Sequence, residues 1–215
     1  MQTLEKMTIG EYVAKDFRTA AVFSKYGIDF CCKGNRTIEE ACEKKDIDTD
    51  QLMDQLNTVL STKNDSAIDF KSWPLDLLAD YIEKTHHRYV QEKTQVILPF
   101  LDKLCKVHGA NHPELFEINE LFIGCAGELA QHLIKEEQIL FPFIKKMVKA
   151  SLTDEAIAQP QFGTVNNPIA MMMEEHEAEG DRFVKIAELT NNYTPPADGC
   201  STYRVTFAML SDFEQ

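Results

Sequence analysis

His132-Leu133-Ile134-Lys135-Glu136-Glu137-Gln138-Ile139-Leu140-Phe141-Pro142 is the stretch that decides how this 215-residue chain folds. His132 and Glu136 are four residues apart, so in a helix both leave the same face from consecutive turns. Working outward, that face carries Leu115, Ile118, Phe122, Cys125 and Leu129 before the pair, and Ile139, Phe143 and Met147 after it. Steps of three and four this regular predict one long helix from Pro113 to about Ala150, bent in its lower half by Pro142. An imidazole and a carboxylate thus stand where leucines would otherwise be. A carboxylate in such a place costs several kcal/mol unless it is paired or bound to a metal.

Three more segments share the period. Pro74 opens one that runs to about Val107 and stops at Gly109, with Leu75, Leu78, Ile82, His86, Val90, Ile97, Phe100 and Leu104 on its inner stripe and a kink expected at Pro99. Another spans about Asn167 to Asn191, with Ile169, Met172, His176, Gly180, Phe183 and Ala187 inside. The last begins near Ser201 and shows Tyr203, Phe207 and Leu210. With no strand signals, the expected fold is all-α, an up-down four-helix bundle over residues 66–215. Residues 1–65 read as a small domain of short helices. One is expected through Val13, Phe17, Ala21 and Phe23, another after the Thr37/Glu40 capping box, and the polar run Ser61 to Ser66 is the linker.

Composition narrows the function classes. A 44 % hydrophobic and 27 % charged chain is ordinary for a packed soluble protein. Its 22 basic and 35 acidic residues give a net charge of −13, a surface that repels phosphate backbones and anionic lipid. Neither nucleic acid nor membrane is expected as a partner, and with no signal-peptide pattern the expected location is the cytoplasm. The cysteines Cys31, Cys32, Cys42, Cys105, Cys125 and Cys200 form no CxxC pair and are expected to be thiols, the last four as core fillers.

His86, His132, Glu136 and His176 each fall on the apolar stripe of their own helix. One buried histidine is most often a hydrogen-bonded structural residue; four polar groups on three successive helices are most simply satisfied by a cation. Nitrogen and oxygen donors without thiolate suit iron, zinc, copper or manganese. His86 is preferred to His87 because His87 would point about 100° away from the stripe.

The quoted stretch also resembles the hemerythrin-like signature HxxxEExxLFP. Thr85 to Val90 and Pro168 to Gly180 are similar to that family's other ligand helices. Tyr26 to Asn35, with Cys31-Cys32 inside it, and Thr37 to Cys42 are similar to the small N-terminal domain of the iron–sulfur cluster repair di-iron proteins. The resemblance implies non-haem iron on His86, His132, His176 and a bridging Glu136, two ions if the last helix is complete. The family's further histidine and glutamate would fall just past Gln215. It also implies a functional thiol pair, Cys31 and Cys32, able to hold iron or undergo redox exchange.

The function so implied is repair of clusters damaged by nitrosative or oxidative stress, by iron donation or by redox chemistry on nitric oxide, with damaged iron–sulfur proteins as partners. A hemerythrin-type oxygen or redox sensor and a metal-free helical interaction module are the rival readings. Whether the small domain docks on its own bundle or swaps to form a homodimer stays open.

Overall fold

The structure, a computed structural model, describes residues 7–30, 34–61, 69–153 and 155–214. It is helical throughout, with no strand among the described residues, and divides into two compact units, residues 1–73 and 74–215. This division falls after a short 3₁₀ turn, Phe70–Ser72, and not at residue 65. The expected linker residues 62–66 lie outside the described residues.

The small unit comprises α1 (Ile9–Lys15), α2 (Arg18–Lys25), α3 (Ile38–Lys45) and α4 (Thr49–Ser61). Thr37 and Glu40 form the expected capping box, and Thr8 with Glu11 forms a second one at the start of α1. The two caps sit side by side, since the amides of Ile9 and Gly10 donate to the Arg36 and Gly34 carbonyls. One helix through Val13, Phe17 and Ala21 had been expected; Asp16 instead breaks it, its carboxylate holding the Arg18 amide and guanidinium. The core accordingly changes phase. Phe17 and Ala21 face solvent, while Ile9, Tyr12, Val22, Phe23, Ile28, Ile38, Leu52 and Leu56 are buried together. Gly27 closes α2 at φ +62°, a conformation that L side chains rarely adopt.

The larger unit is a bundle of two long composite helices and two simple ones. The first composite joins α5 (Leu75–Ile82) to α6 (Arg88–His108) through a π-helical turn, Glu83–His87. The second joins α7 (Glu114–Lys135) to α8 (Phe141–Thr153) through another, Glu136–Leu140. Then come α9 (Asn166–Leu189) and α10 (Ser201–Glu214). Helix α6 packs on α7 and α10, α7 on α9, and α5 on α8, so successive long helices run antiparallel. The core is Ile97, Leu101, Leu104, Leu115, Ile118, Phe122, Cys125, Phe183, Ile186, Tyr203, Phe207 and Leu210.

The π turns correct two stripes. A π turn inserts one residue into the helical count, so the side chain that turns inward next comes one position later than a regular helix would place it. In the first composite, the interior passes from Ile82 to His87, then Val90, Thr94, Ile97, Leu101 and Leu104; Leu75 and His86 are exposed. In the second, Leu140 replaces the expected Ile139, which is half exposed. Each turn has a local cause. Thr85 Oγ1 donates to the Tyr81 carbonyl at 2.5 Å and so competes for a helical acceptor. Pro142 has no N–H for the Gln138 carbonyl, and its ring presses on that turn.

Phe122 lies at the centre of the bundle, fully buried, edge-on to Phe183 and Phe213. Phe122→Ala is expected to cost about 3–5 kcal/mol by urea denaturation. At the far end, His112 lies between Glu114 (2.9 Å) and Asp198 (3.2 Å), tying the α6–α7 turn to the segment before α10. Glu114 is the larger cause that raises the imidazole above its usual range, with burial opposing and Asp198 assisting. Folding therefore favours the protonated ring. Its contribution is complete below about pH 6.5 and is lost as pH rises through the raised value. The melting-temperature gap between wild type and His112→Gln is expected to be largest near pH 6 and to shrink towards pH 8.5.

Candidate metal centre

Where the two π turns meet, the long helices present a polar cluster inside the bundle. His87 is 4 % exposed, His132 5 %, and the Glu136 side chain 15 %. Glu136 Oε2 lies 3.0 Å from His87 Nε2 and 3.5 Å from His132 Nε2. His132 Nε2 in turn lies 3.0 Å from His176 Nε2. Four donor atoms from three helical segments thus form a continuous chain.

Two of the three imidazoles are held from behind. His87 donates from Nδ1 to Glu137 at 2.9 Å and stacks on Phe141. His132 donates from Nδ1 to Glu175 at 2.8 Å, and Glu175 is gripped by Lys135. An Nδ1–H committed to a carboxylate fixes ring orientation and aims Nε2 into the cluster. His176 has no such support. It is more than a third exposed and lines a cleft of about 280 Å³ with Glu128, Leu129, Glu175 and Glu179.

The electrostatics follow from that geometry. Burial works to raise Glu136, but His132 and His87 outweigh it and bring its carboxyl down to about 2. Burial works to lower His87 and His132, and their paired carboxylates outweigh it, so both rings sit above the usual histidine range. His176 is lowered, by burial first and then by the neighbouring His132 charge.

Of the residues expected from sequence, the structure brings together His132, Glu136 and His176. It does not include His86, which is exposed and sits edge-on to Tyr81. His87 takes that place, because the five-residue step of the π turn rotates the second histidine of the tandem inward. Glu137, Glu175 and Lys135 are the supporting residues that the stripe could not reveal; Glu175 was legible only as a carboxylate beside His176. Tyr89 does not reach the cluster. Its hydroxyl donates to the Asp212 carbonyl at 3.1 Å and its ring stacks on Phe213, fastening the end of α10. Cys31 and Cys32 lie outside the described residues. Cys42, Cys105 and Cys125 are buried as expected, but Cys200 is exposed.

Residues 78–215, more than half of the chain, match the hemerythrin HHE cation binding domain, and residues 5–60 match ScdA_N, a domain of unknown function (DUF542). The iron–sulfur cluster repair protein ScdA of Staphylococcus haemolyticus is 30 % identical over 207 residues, which are 96 % of this chain and 89 % of that protein. The chain belongs to the family of iron–sulfur cluster repair proteins. The repair protein YtfE of Yersinia pestis, strain Pestoides F, is 30 % identical over 196 residues, 91 % of this chain and 82 % of its own. ScdA of Staphylococcus epidermidis is 28 % identical over 92 % of this chain and 85 % of that protein.

The repair-family cluster can be tested for its fit to a cation. Among the described residues, no three His, Cys, Asp or Glu side chains surround one point as a finished cage; here they hydrogen-bond one another. Their chemistry and spacing nevertheless suit a metal. Ligand atoms bonded at about 2.1 Å and set about 90–110° apart lie about 3.0–3.4 Å from each other. The 3.0, 3.0 and 3.5 Å separations along the chain of donors are of that size. The corrected histidine gives a direct check. With iron(II) as the probe, His86→Ala is expected to retain the metal content of wild type after desalting, and His87→Ala to lose most of it.

Proposed function

We propose that this protein holds non-haem iron on His87, His132, Glu136 and His176, and uses it to restore iron–sulfur clusters damaged by nitrosative or oxidative stress. The observation that carries the reading is Glu136, an ionised carboxylate set between His87 and His132 inside a bundle of the cation-binding family. Iron bound there would supply either a transferable metal or a redox partner for nitric oxide.

The chain's own residues account for the rest. Glu136 stays ionised across the physiological range, so a negative oxygen is always available to a cation. His87 and His132 are oriented by Glu137 and Glu175, which stabilise each ring whether it carries a proton or a metal. Leu140 and Phe141 close the inner side of the site against α5. His176 stands at the mouth of the cleft, the one donor of the four that is open to solvent. A site tight on one side and open on the other suits a metal that must enter or leave.

The N-terminal unit would supply the thiols. Cys31 and Cys32 are proposed to receive iron or exchange electrons, a role that rests on the family likeness of residues 5–60. No described helix is long and apolar enough to cross a membrane. The proposed setting is the cytoplasm, with damaged iron–sulfur proteins as partners.

Reactivation of a nitrosylated cluster enzyme by the iron-loaded protein tests the proposal. Wild type is expected to restore activity, and His132→Ala to lose at least about tenfold of that rate, since ligand and support losses cost about 10–100-fold in metal affinity or activity. Undiminished repair by His132→Ala would overturn it.

A further inference from the structure

Cys200 differs from the other described cysteines. Cys42, Cys105 and Cys125 are buried, and burial raises all three thiols. Cys200 is exposed and immediately precedes α10, where the backbone amides of Tyr203 and Thr202 point at its sulfur. From a different helix, the last residue of α6, His108 brings Nε2 to 3.2 Å of Cys200 Sγ. The buried ring of Tyr203 stands edge-on to His108 and holds the imidazole against the loop. A nucleophile within hydrogen-bond reach of a base, with that base positioned by a third group, is the arrangement that activates thiols.

The pair is remote from the candidate metal centre. His87 and His108 bracket α6, whose 21 residues place them about 30 Å apart along the bundle. The charged groups around the pair are His108 of α6, His112 and Asp198 of the flanking segments, Glu114 of α7 and Tyr203 of α10. Glu114 and Asp198 are engaged by His112. His108 is thus the partner of Cys200 among them.

We propose that Cys200 and His108 form a reactive thiolate–imidazole pair that is modified by low-molecular-weight disulfides. In the step, His108 takes the Cys200 proton and the thiolate attacks one sulfur of R–S–S–R. The S–S bond of the reagent breaks, a new Cys200–S–S–R bond forms, and the leaving thiolate recovers the proton from His108. Cys200 is oxidised and one half of the disulfide is reduced, so no further reagent is needed. A second thiol reverses the step. This site does not depend on iron being bound at the other end.

The full-length protein is treated with glutathione disulfide at a series of pH values, and modified peptides are quantified by mass spectrometry, which separates Cys200 from Cys31-Cys32. The two sulfur-directed amides and His108 bring the thiol to about 7. Against an ordinary thiol near 8.5, that raises the thiolate fraction at pH 7 about fifteenfold, while lower nucleophilicity returns about fivefold. A net gain of about threefold is expected at pH 7, with the rate half-maximal near pH 7 and levelling above about pH 8 in wild type. In His108→Gln the midpoint is expected to move up towards 8.5, with the rate at pH 9.5 no lower than that of wild type. A wild-type midpoint at 8.5, or an unchanged profile in His108→Gln, would overturn the proposal; the wild-type profile decides it even if the variant does not fold.

Discussion

Glu136 carries a negative charge between the two long helices of the bundle, where little water reaches it, and the imidazoles of His87 and His132 compensate that charge. An ionised carboxylate left alone in such a place would cost several kcal/mol, so the helices carrying these rings must meet at this level. Glu137 and Glu175 extend the same logic outward, and Lys135 ends the series near the surface. The apolar core above it, from Ile97 to Phe122 and Phe207, supplies the cohesion that makes the polar layer affordable.

Both π turns lie beside this layer, one ending at His87 and the other beginning at Glu136. A regular helix through Thr85 would direct His86 inward and leave His87 at the surface. The inserted residue reverses that, and it places Leu140 and Phe141 behind the site instead of Ile139. Helical irregularity is thus how the chain positions its donors, a use for which π turns are known. The same device makes the two helices read as slightly out of phase from sequence.

Much of the architecture was legible because the signals were redundant. Long runs in steps of three and four fixed the bundle, Thr37/Glu40 fixed the start of α3, and His132 with Glu136 declared a polar pair on an apolar face. Apart from Leu75 and Ile169, exposed near the starts of their helices, the main misreadings fall at local interruptions. Asp16 stops a helix by capturing Arg18, a local hydrogen bond that hydrophobic spacing does not register. Phase carried across Thr85 placed His86 inside where His87 is the buried histidine of the tandem, although a threonine able to bond back to Tyr81 is a visible warning. Cys200 looked like a core filler, yet its neighbour Gly199 and the start of α10 place it in the open beside His108. Contacts between distant segments, such as His132 with Glu175 or His112 with Asp198, leave no periodic trace at all.

The central claim is that a cation bound by imidazole and carboxylate occupies the layer built around Glu136. X-ray absorption at the iron edge, on protein loaded with iron(II) and desalted, addresses it most directly. A shell of nitrogen and oxygen ligands with the outer scattering of several imidazoles, lost in His132→Ala, is the result this account predicts. Iron ligated by thiolate sulfur alone, without imidazole scattering, or no iron retained at all, would contradict it.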